Sequence, residues 1–299
     1  IGRYEGELYS IGFWDAAVAM FARRSVLEEH NIRIPTLEDP WAKVELNDAL
    51  ATLAARGDFE YPLDLGLAWA GEWYSYAFGP FLQSFGGDLM DPTVPTAEGI
   101  LNGDAGIEFG EWWQMLFEEN WVPGPSQDGG DRASGFVEGD YALQWNGNWA
   151  APAAIEQFGD DMLFLPAPNM GEGNYIGSAS WQFGVAKTSD KQDGANAFLR
   201  YALKDEYLAA FSDATGLIPA TKSAAEMTQN YAEGGDLEVF FELSKDQARN
   251  RVASPGYGAA VIEFEKALRD IAHGADVGDT LDAATDAINE DLEKNNGYR

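Results

Sequence analysis

The chain has 299 residues, 45% of them hydrophobic, with 50 Asp+Glu against 19 Lys+Arg and a formal net charge of −31. That length suits two lobes of ordinary domain size, and so negative a field disfavours nucleic acid and anionic membranes, which both demand cationic patches. Cysteine is absent, which excludes disulfides, thiolate metal sites and a Cys nucleophile. The acidity reads as a solubility device, in keeping with a salty medium whose counterions screen self-repulsion. No apolar run reaches the roughly 18–20 residues of a membrane span, and no stretch has the character of a signal peptide. The opening Ile1-Gly-Arg-Tyr-Glu-Gly-Glu-Leu-Tyr9 reads as the interior of something longer.

Taken in chain order, the apolar run 8–21 predicts one or two buried strands, and 24–29 a short helix ending near His30-Asn31. Residues 35–40 form a turn. Pro40 suits the first position of a helix capped by Asp39, which carries Trp41, Leu46, Leu50 and Leu53 and stops at Arg56-Gly57. A strand is expected over 63–69 and an aromatic helix over 72–85, closed by Gly86-Gly87. Asp104 is expected to cap an amphipathic helix bearing Ile107, Trp113, Leu116 and Phe117, closed by Asn120 and Pro123. Residues 125–131 read as a flexible polar loop.

Phe136 opens a small helix or turn, followed by a strand over 141–145, a short helix over 150–158 and a strand over 162–165 ended by Pro166 and Pro168. A Gly-bearing loop covers 170–174. A strand over 183–186 precedes a helix over 195–203 capped by Ser189. A connector over 217–221 and helices over 238–249, 257–273 and 280–294 complete the chain. In the last helix Leu281, Ala284, Ile288 and Leu292 fall on one stripe while the acidic residues face water. Alternating strands and helices imply an α/β architecture with mostly parallel pairing.

The chemistry of several enzyme classes is missing. There is no P-loop, no GxGxxG after a strand, no GxSxG elbow and no HExxH. The two histidines, His30 and His273, lie near expected helix ends, where a cation complements the helix dipole. The acidic pair Asp128 and Asp131 does not fit calcium-loop spacing and reads as a solvated loop. Carboxylates are abundant enough for a glycosidase acid/base pair, but nothing singles out two of them. No metal, cofactor or catalytic residue is expected.

Aromatic side chains, in contrast, are plentiful: 10 Trp, 12 Tyr and 17 Phe. Trp is hard to bury fully, and here it recurs beside Asn, Asp, Glu or Ser at segment ends. The stretch Gly139-Asp-Tyr-Ala-Leu-Gln-Trp-Asn-Gly-Asn-Trp149 crowds two tryptophans and two asparagines at the end of a strand. Indole faces pack on the C–H faces of a sugar ring, and carboxamides bond hydroxyls in both directions. Equally, the stretch reads as a buried Trp pair closing a strand–turn–helix corner. Trp112 and Trp113, on a helix, read as core.

The order of segments resembles that of the family 1 extracellular solute-binding proteins, the maltose-binding-protein-like sugar receptors of ABC importers. The resemblance is carried by Leu8-Tyr-Ser-Ile-Gly-Phe-Trp-Asp15, by the run from Phe21 to Ile32 with Pro35-Thr36, and by Phe81-Leu-Gln-Ser-Phe-Gly-Gly-Asp-Leu89. It continues through Phe136 to Trp149, Leu165-Pro-Ala-Pro168, Ser180 to Lys187, Leu217-Ile-Pro-Ala220 and Arg251 to Tyr257. Two departures stand out: Ser10 replaces a Pro on the hinge strand, and Arg23-Arg24 replaces Asn-Lys. Roughly the first hundred residues of the family have no counterpart.

The resemblance implies a periplasmic-binding-protein-like α/β fold of two lobes (type II), with one lobe incomplete. Residues 1–12 would be a hinge strand, 13–175 with 250–299 one lobe, and 176–249 the remaining part of the other. It implies a non-catalytic carbohydrate receptor, monomeric and extracytoplasmic, that works with importer permease subunits. Trp145 and Trp149 are then expected as stacking platforms and Asn146 as a hydroxyl partner. Trp14 and Asp15 follow the hinge strand, Glu72, Trp73 and Tyr74 form another cleft-facing segment, Trp181 lies at the second crossover, and Arg251 and Tyr257 at the third.

Overall fold

The computed structural model describes residues 2–125, 135–179 and 181–298. The expected loop over 125–131, with Asp128 and Asp131, and Ser180 of the Ser180–Lys187 motif, lie outside the described residues, apart from Pro125. At the centre is a ten-residue strand, Trp14–Arg23, buried from Ala16 to Ala22. Its sequence has no Gly, Pro or strand-breaking polar run, and it is covered on both faces.

This strand organises a seven-stranded sheet. Its first residues pair antiparallel with Ile176–Ala179 on one side and Ile218–Pro219 on the other. Its later residues pair antiparallel with Tyr141–Gly147 and Met162–Leu165. Parallel pairing of strands among the described residues lies further out, where Tyr61–Asp64 joins Tyr141–Gly147 and Ala248–Arg249 joins Ile176–Ala179. The expected mostly parallel sheet is therefore corrected. Every neighbour of the long central strand runs against it, so α/β alternation along the chain does not become parallel pairing in space.

Helices Glu72–Ser84, Asp104–Glu118, Tyr257–Ala272 and Val277–Lys294 build the main core beside the sheet. Phe78 packs on Trp113 with centroids 4.8 Å apart, and Phe81 meets Trp145 at 5.1 Å. Trp113 and Trp112 are buried, as expected for core, and their indole N–H groups donate to the Leu268 carbonyl and to Asn47. The stripe Leu281, Ala284, Ile288 and Leu292 is buried, and Asp276 caps its helix through the Asp279 amide.

Several boundaries differ from expectation for local reasons. The second helix starts at Lys43, not Pro40. The Asp39 carboxylate is taken by Arg33 at 3.1 Å, and Glu45 instead accepts the Ala42 amide. The helix does stop at Gly57, whose φ of 71° is open to glycine. The 63–69 strand ends at Asp64, because that carboxylate accepts the Gly66 amide at 2.8 Å and turns the chain. The 183–186 strand is the shorter Gln182–Phe183, paired with Ile11–Gly12. Gly103, not Asp104, is the cap of Asp104–Glu118. The 195–203 helix is Gln192–Ala202, with Lys191 at its cap; Ser189 accepts the Lys191 amide one turn earlier. The 238–249 helix stops at Asp246, and Ala248–Arg249 turn into an edge strand.

His30 and His273 cap the C-terminal ends of Arg24–Glu29 and Tyr257–Ala272, each ring bonded to a carbonyl of the last turn. Among the described residues no helix is long and apolar enough to cross a membrane.

Candidate functional site

The chain's turn at Asp64–Gly66 places Trp69 in a loop, just ahead of the helix Glu72–Ser84. On that helix Glu72, Trp73 and Tyr76 share a face, as residues at spacings of three and four do. The strand Tyr141–Gly147 ends against this face, and a single 3₁₀ turn over Asn148–Ala150 swings Trp149 into it. Trp149 sits 6.3 Å from Trp69, 6.2 Å from Trp73 and 6.2 Å from Tyr76, centroid to centroid. Trp69 and Trp73 meet edge to face at 4.6 Å.

These rings form one wall of a cleft of about 680 Å³. The start of the central strand contributes Trp14 and Ala16, and Leu217, Trp181 and Arg251 complete the lining. Trp14 belongs to a second aromatic group, stacked on Phe211 at 4.8 Å and edge-on to Phe183 at 5.6 Å. Trp181 is 74% exposed, an unusual solvation for an indole.

The rings are held from behind. Trp73 donates its N–H to the Leu65 carbonyl at 3.1 Å, and Tyr76 its hydroxyl to the Ala16 carbonyl at 3.0 Å. Burial, aided by Asp15, pushes the Tyr76 hydroxyl far up from its ordinary range, so it stays a neutral donor. Arg251 lies over the Tyr76 ring at 5.3 Å and donates to the Ser178 carbonyl at 2.9 Å. Its Nε is 2.5 Å from Glu72. Tyr257 donates to Ser75 at 2.9 Å and reaches Glu72 at 3.5 Å. Burial raises the Tyr257 hydroxyl as well, against the opposing Ser75 bond.

Of the residues expected at a site, Trp14, Glu72, Trp73, Trp149, Trp181 and Arg251 line this cleft, and Tyr257 supports Glu72 beside it. Four expectations are corrected. Trp145 is fully buried, packs on Phe81 and donates to the Ala77 carbonyl, so its faces are closed to a ligand. Asn146 is buried, with its amide on Gln144 and its carbonyl on the Gly147 amide. Tyr74 is buried on the far side of its helix, its hydroxyl on the Leu67 carbonyl and its ring under Arg269. Asp15 is not among the lining residues; its carboxylate accepts the Ala16 amide at 2.8 Å and the Ser178 hydroxyl at 3.3 Å.

The residues missed are Trp69, Tyr76, Ala16 and Leu217. Tyr76 was findable, since it lies three and four residues from Trp73 and Glu72. Among the described residues no cluster of His, Asp or Glu is arranged to hold a metal.

Gly147 immediately precedes this turn, and a methyl there would overlap the Trp149 ring. Gly147→Ala is therefore expected to push Trp149 out of register and weaken ligand binding about tenfold, roughly 1.4 kcal/mol, with a melting temperature lowered by a few degrees. Calorimetric titration beside a thermal melt checks this; unchanged affinity would show that the register of Trp149 set by Gly147 does not matter to binding.

The same architecture occurs in solved structures. The GacH receptor of Streptomyces glaucescens, known unliganded and with acarbose, superposes with a TM-score of 0.79 at 21% identity, over 98% of this chain and 72% of that one. The cyclic alpha-maltosyl-1,6-maltose binding protein from Arthrobacter globiformis gives 0.77 at 21%, over 98% and 74%. UgpB from Mycobacterium tuberculosis, in complex with glycerophosphocholine, gives 0.79 at 17%, over 98% and 73%. Identities this low carry the two-lobe α/β fold and not the ligand. No curated protein compared with the chain matches it. The family model for bacterial extracellular solute-binding proteins, however, matches residues 2–239, and the chain belongs to that family.

Proposed function

We propose that this chain is the carbohydrate receptor of an ABC importer, binding a mono- or oligosaccharide in the cleft and delivering it to the membrane permease without chemical change. The observation that carries the reading is the wall of Trp69, Trp73, Tyr76 and Trp149 facing a cleft of about 680 Å³. Flat indoles complement the apolar faces of pyranose rings, and the hydroxyls are left for polar groups at the rim. Binding closes a hinge, the closed state being selected by contacts made from both lobes. In this reading 13–175 with 250–299 form one lobe and the chain from 176 enters the other, with two departures from the sequence expectation. The helix Glu238–Asp246 returns to the first lobe, packing Phe240 on Phe21 and Phe164. Residues 1–12 are not one hinge strand, since Arg3–Tyr4 and Glu7–Leu8 form a hairpin and Ile11–Gly12 pairs with Gln182–Phe183. The central strand supports chain crossovers at 176–179 and 218–219, since its first residues pair with those segments and its later ones with 141–147 and 162–165. The protein acts outside the cytoplasm, as a monomer.

A glycoside hydrolase needs two carboxyl groups about 5–9.5 Å apart across the scissile bond. Among the described lining residues Glu72 is the one carboxylate, and it is paired with Arg251. This favours binding over turnover.

The test is tryptophan fluorescence and thermal shift against a panel of mono- and oligosaccharides, in low and high salt. A saturable response to one sugar, with no product formed, is expected. Silence across the panel would overturn the carbohydrate reading, and accumulating product would replace it with hydrolysis.

A further inference from the structure

The charges on the cleft wall are few and already matched. Among the described lining residues the ionised side chains are Glu72 and Arg251, 2.5 Å apart. The Arg251 side chain is 29% exposed and that of Glu72 is 55% exposed, so both still reach the cleft. The Arg251 Nε is buried and is not aligned on the carboxylate as a hydrogen bond, so the pair is a charge contact and not a two-pronged fork. A second donor of the guanidinium is fixed on the Ser178 carbonyl, and its face is set over Tyr76. Tyr257 reaches Glu72 from behind at 3.5 Å and is itself anchored on Ser75. The rest of the wall is indole, phenol and aliphatic carbon.

An unpaired arginine in an aromatic cleft is a strong receptor for carboxylate or phosphate. One already neutralised by a neighbouring carboxylate is not, and an anion placed beside it would meet Glu72 as a like charge while losing its water. We propose that Glu72 is a specificity-determining residue that occupies Arg251 and so restricts this site to neutral saccharides, against uronates and sugar phosphates. The inference rests on the carbohydrate reading and goes beyond it by naming the charge state of the ligand and the residue that sets it.

The experiment compares hexoses, each as the neutral sugar, the uronate and the 6-phosphate, by calorimetric titration of the unmodified protein and of Glu72→Gln. It is run in 1 M salt, where the Debye length falls to about 3 Å and the net charge of the chain no longer repels anions at a distance. The unmodified protein is expected to prefer the neutral form at least tenfold. In Glu72→Gln that ratio is expected to narrow or reverse by at least tenfold. The double variant Glu72→Gln/Arg251→Gln is expected to lose the gained affinity for anions. Equal or tighter binding of the uronate or phosphate by the unmodified protein overturns the proposal, and that arm does not depend on any variant folding. So does an unchanged ratio in a folded Glu72→Gln. Absence of binding by every form removes the carbohydrate reading itself, a failure distinct from a wrong preference among forms that bind.

Discussion

Trp149→Ala is expected to lower ligand affinity by about 30- to 100-fold and Trp145→Ala to leave affinity nearly unchanged while destabilising the fold. The two residues stand four apart in one motif, and the structure gives them opposite surroundings. Trp149 is half-buried, with Trp69, Trp73 and Tyr76 around it and the cleft before it. Truncating a central aromatic anchor in a binding site costs 2 kcal/mol or more, which is about thirtyfold or greater. Because Trp149 itself is half-buried, its loss weakens the fold less. Trp145 has no exposed surface, faces Phe81 and opposes Met20 across the ladder. A buried Trp cut to Ala costs about 3–5 kcal/mol, a large fraction of the 5–15 kcal/mol that holds a typical domain together. Titration and thermal melting of the two variants should therefore give a crossed pattern. If Trp149→Ala retained its affinity, the aromatic wall would not be the binding surface.

The difference between these two tryptophans also shows what the sequence could and could not reveal. Periodicity located the strand and turn correctly, but the Tyr141–Gly147 strand is buried at every position. Alternation distinguishes inward from outward only when one face of a strand is wet, so it could not say which ring faced the cleft. That choice is made by the short 3₁₀ turn after Gly147, a feature with no hydrophobic period. The helix Glu72–Ser84 presents the opposite case. At about 100° per residue, Glu72, Trp73 and Tyr76 fall within one arc and Tyr74 lies well outside it. A closer reading of the phase would have exchanged Tyr74 for Tyr76. The error at Pro40 was of a third kind: Asp39 is a good cap by residue type, but Arg33, six residues earlier, takes its carboxylate. Sheet direction was the least legible feature, because it depends on which strands meet the central one and not on their order along the chain.

The second large effect is expected at Asn148, one of the two asparagines at the end of the Tyr141–Gly147 strand. Its side chain is fully buried. Its carbonyl accepts the Ala17 amide at 3.0 Å, and its amide donates to the Gly216 carbonyl at 2.7 Å and the Tyr231 hydroxyl at 2.8 Å. Ala17 and Gly216 adjoin Ala16 and Leu217, and Asn148 itself adjoins Trp149; all three neighbours line the cleft. One carboxamide thus ties together the three segments from which that part of the cleft is built. Asn148→Ala leaves the Ala17 N–H buried without an acceptor, a cost of about 1–3 kcal/mol, and loses the bonds to Gly216 and Tyr231 besides. A total near 3–4 kcal/mol is expected, with weakened ligand binding because Ala16, Leu217 and Trp149 are no longer held in register. Asn148→Asp sharpens the test. It keeps the acceptor for Ala17 but turns an oxygen toward the Gly216 carbonyl and buries a charge. Burial raises that carboxyl above its unfolded value of about 3.9. A raised folded-state value means that the variant is most stable, relative to the unaltered protein, below the unfolded value, and loses that stability as pH rises through the folded one. The stability gap between Asn148→Asp and the unaltered protein should therefore be widest at pH 7 and narrow toward pH 4, where the protonated acid can again donate to Gly216. Denaturant unfolding of both proteins across that range measures the gap, and a gap independent of pH would show that the Asn148 side chain does not donate into this buried junction.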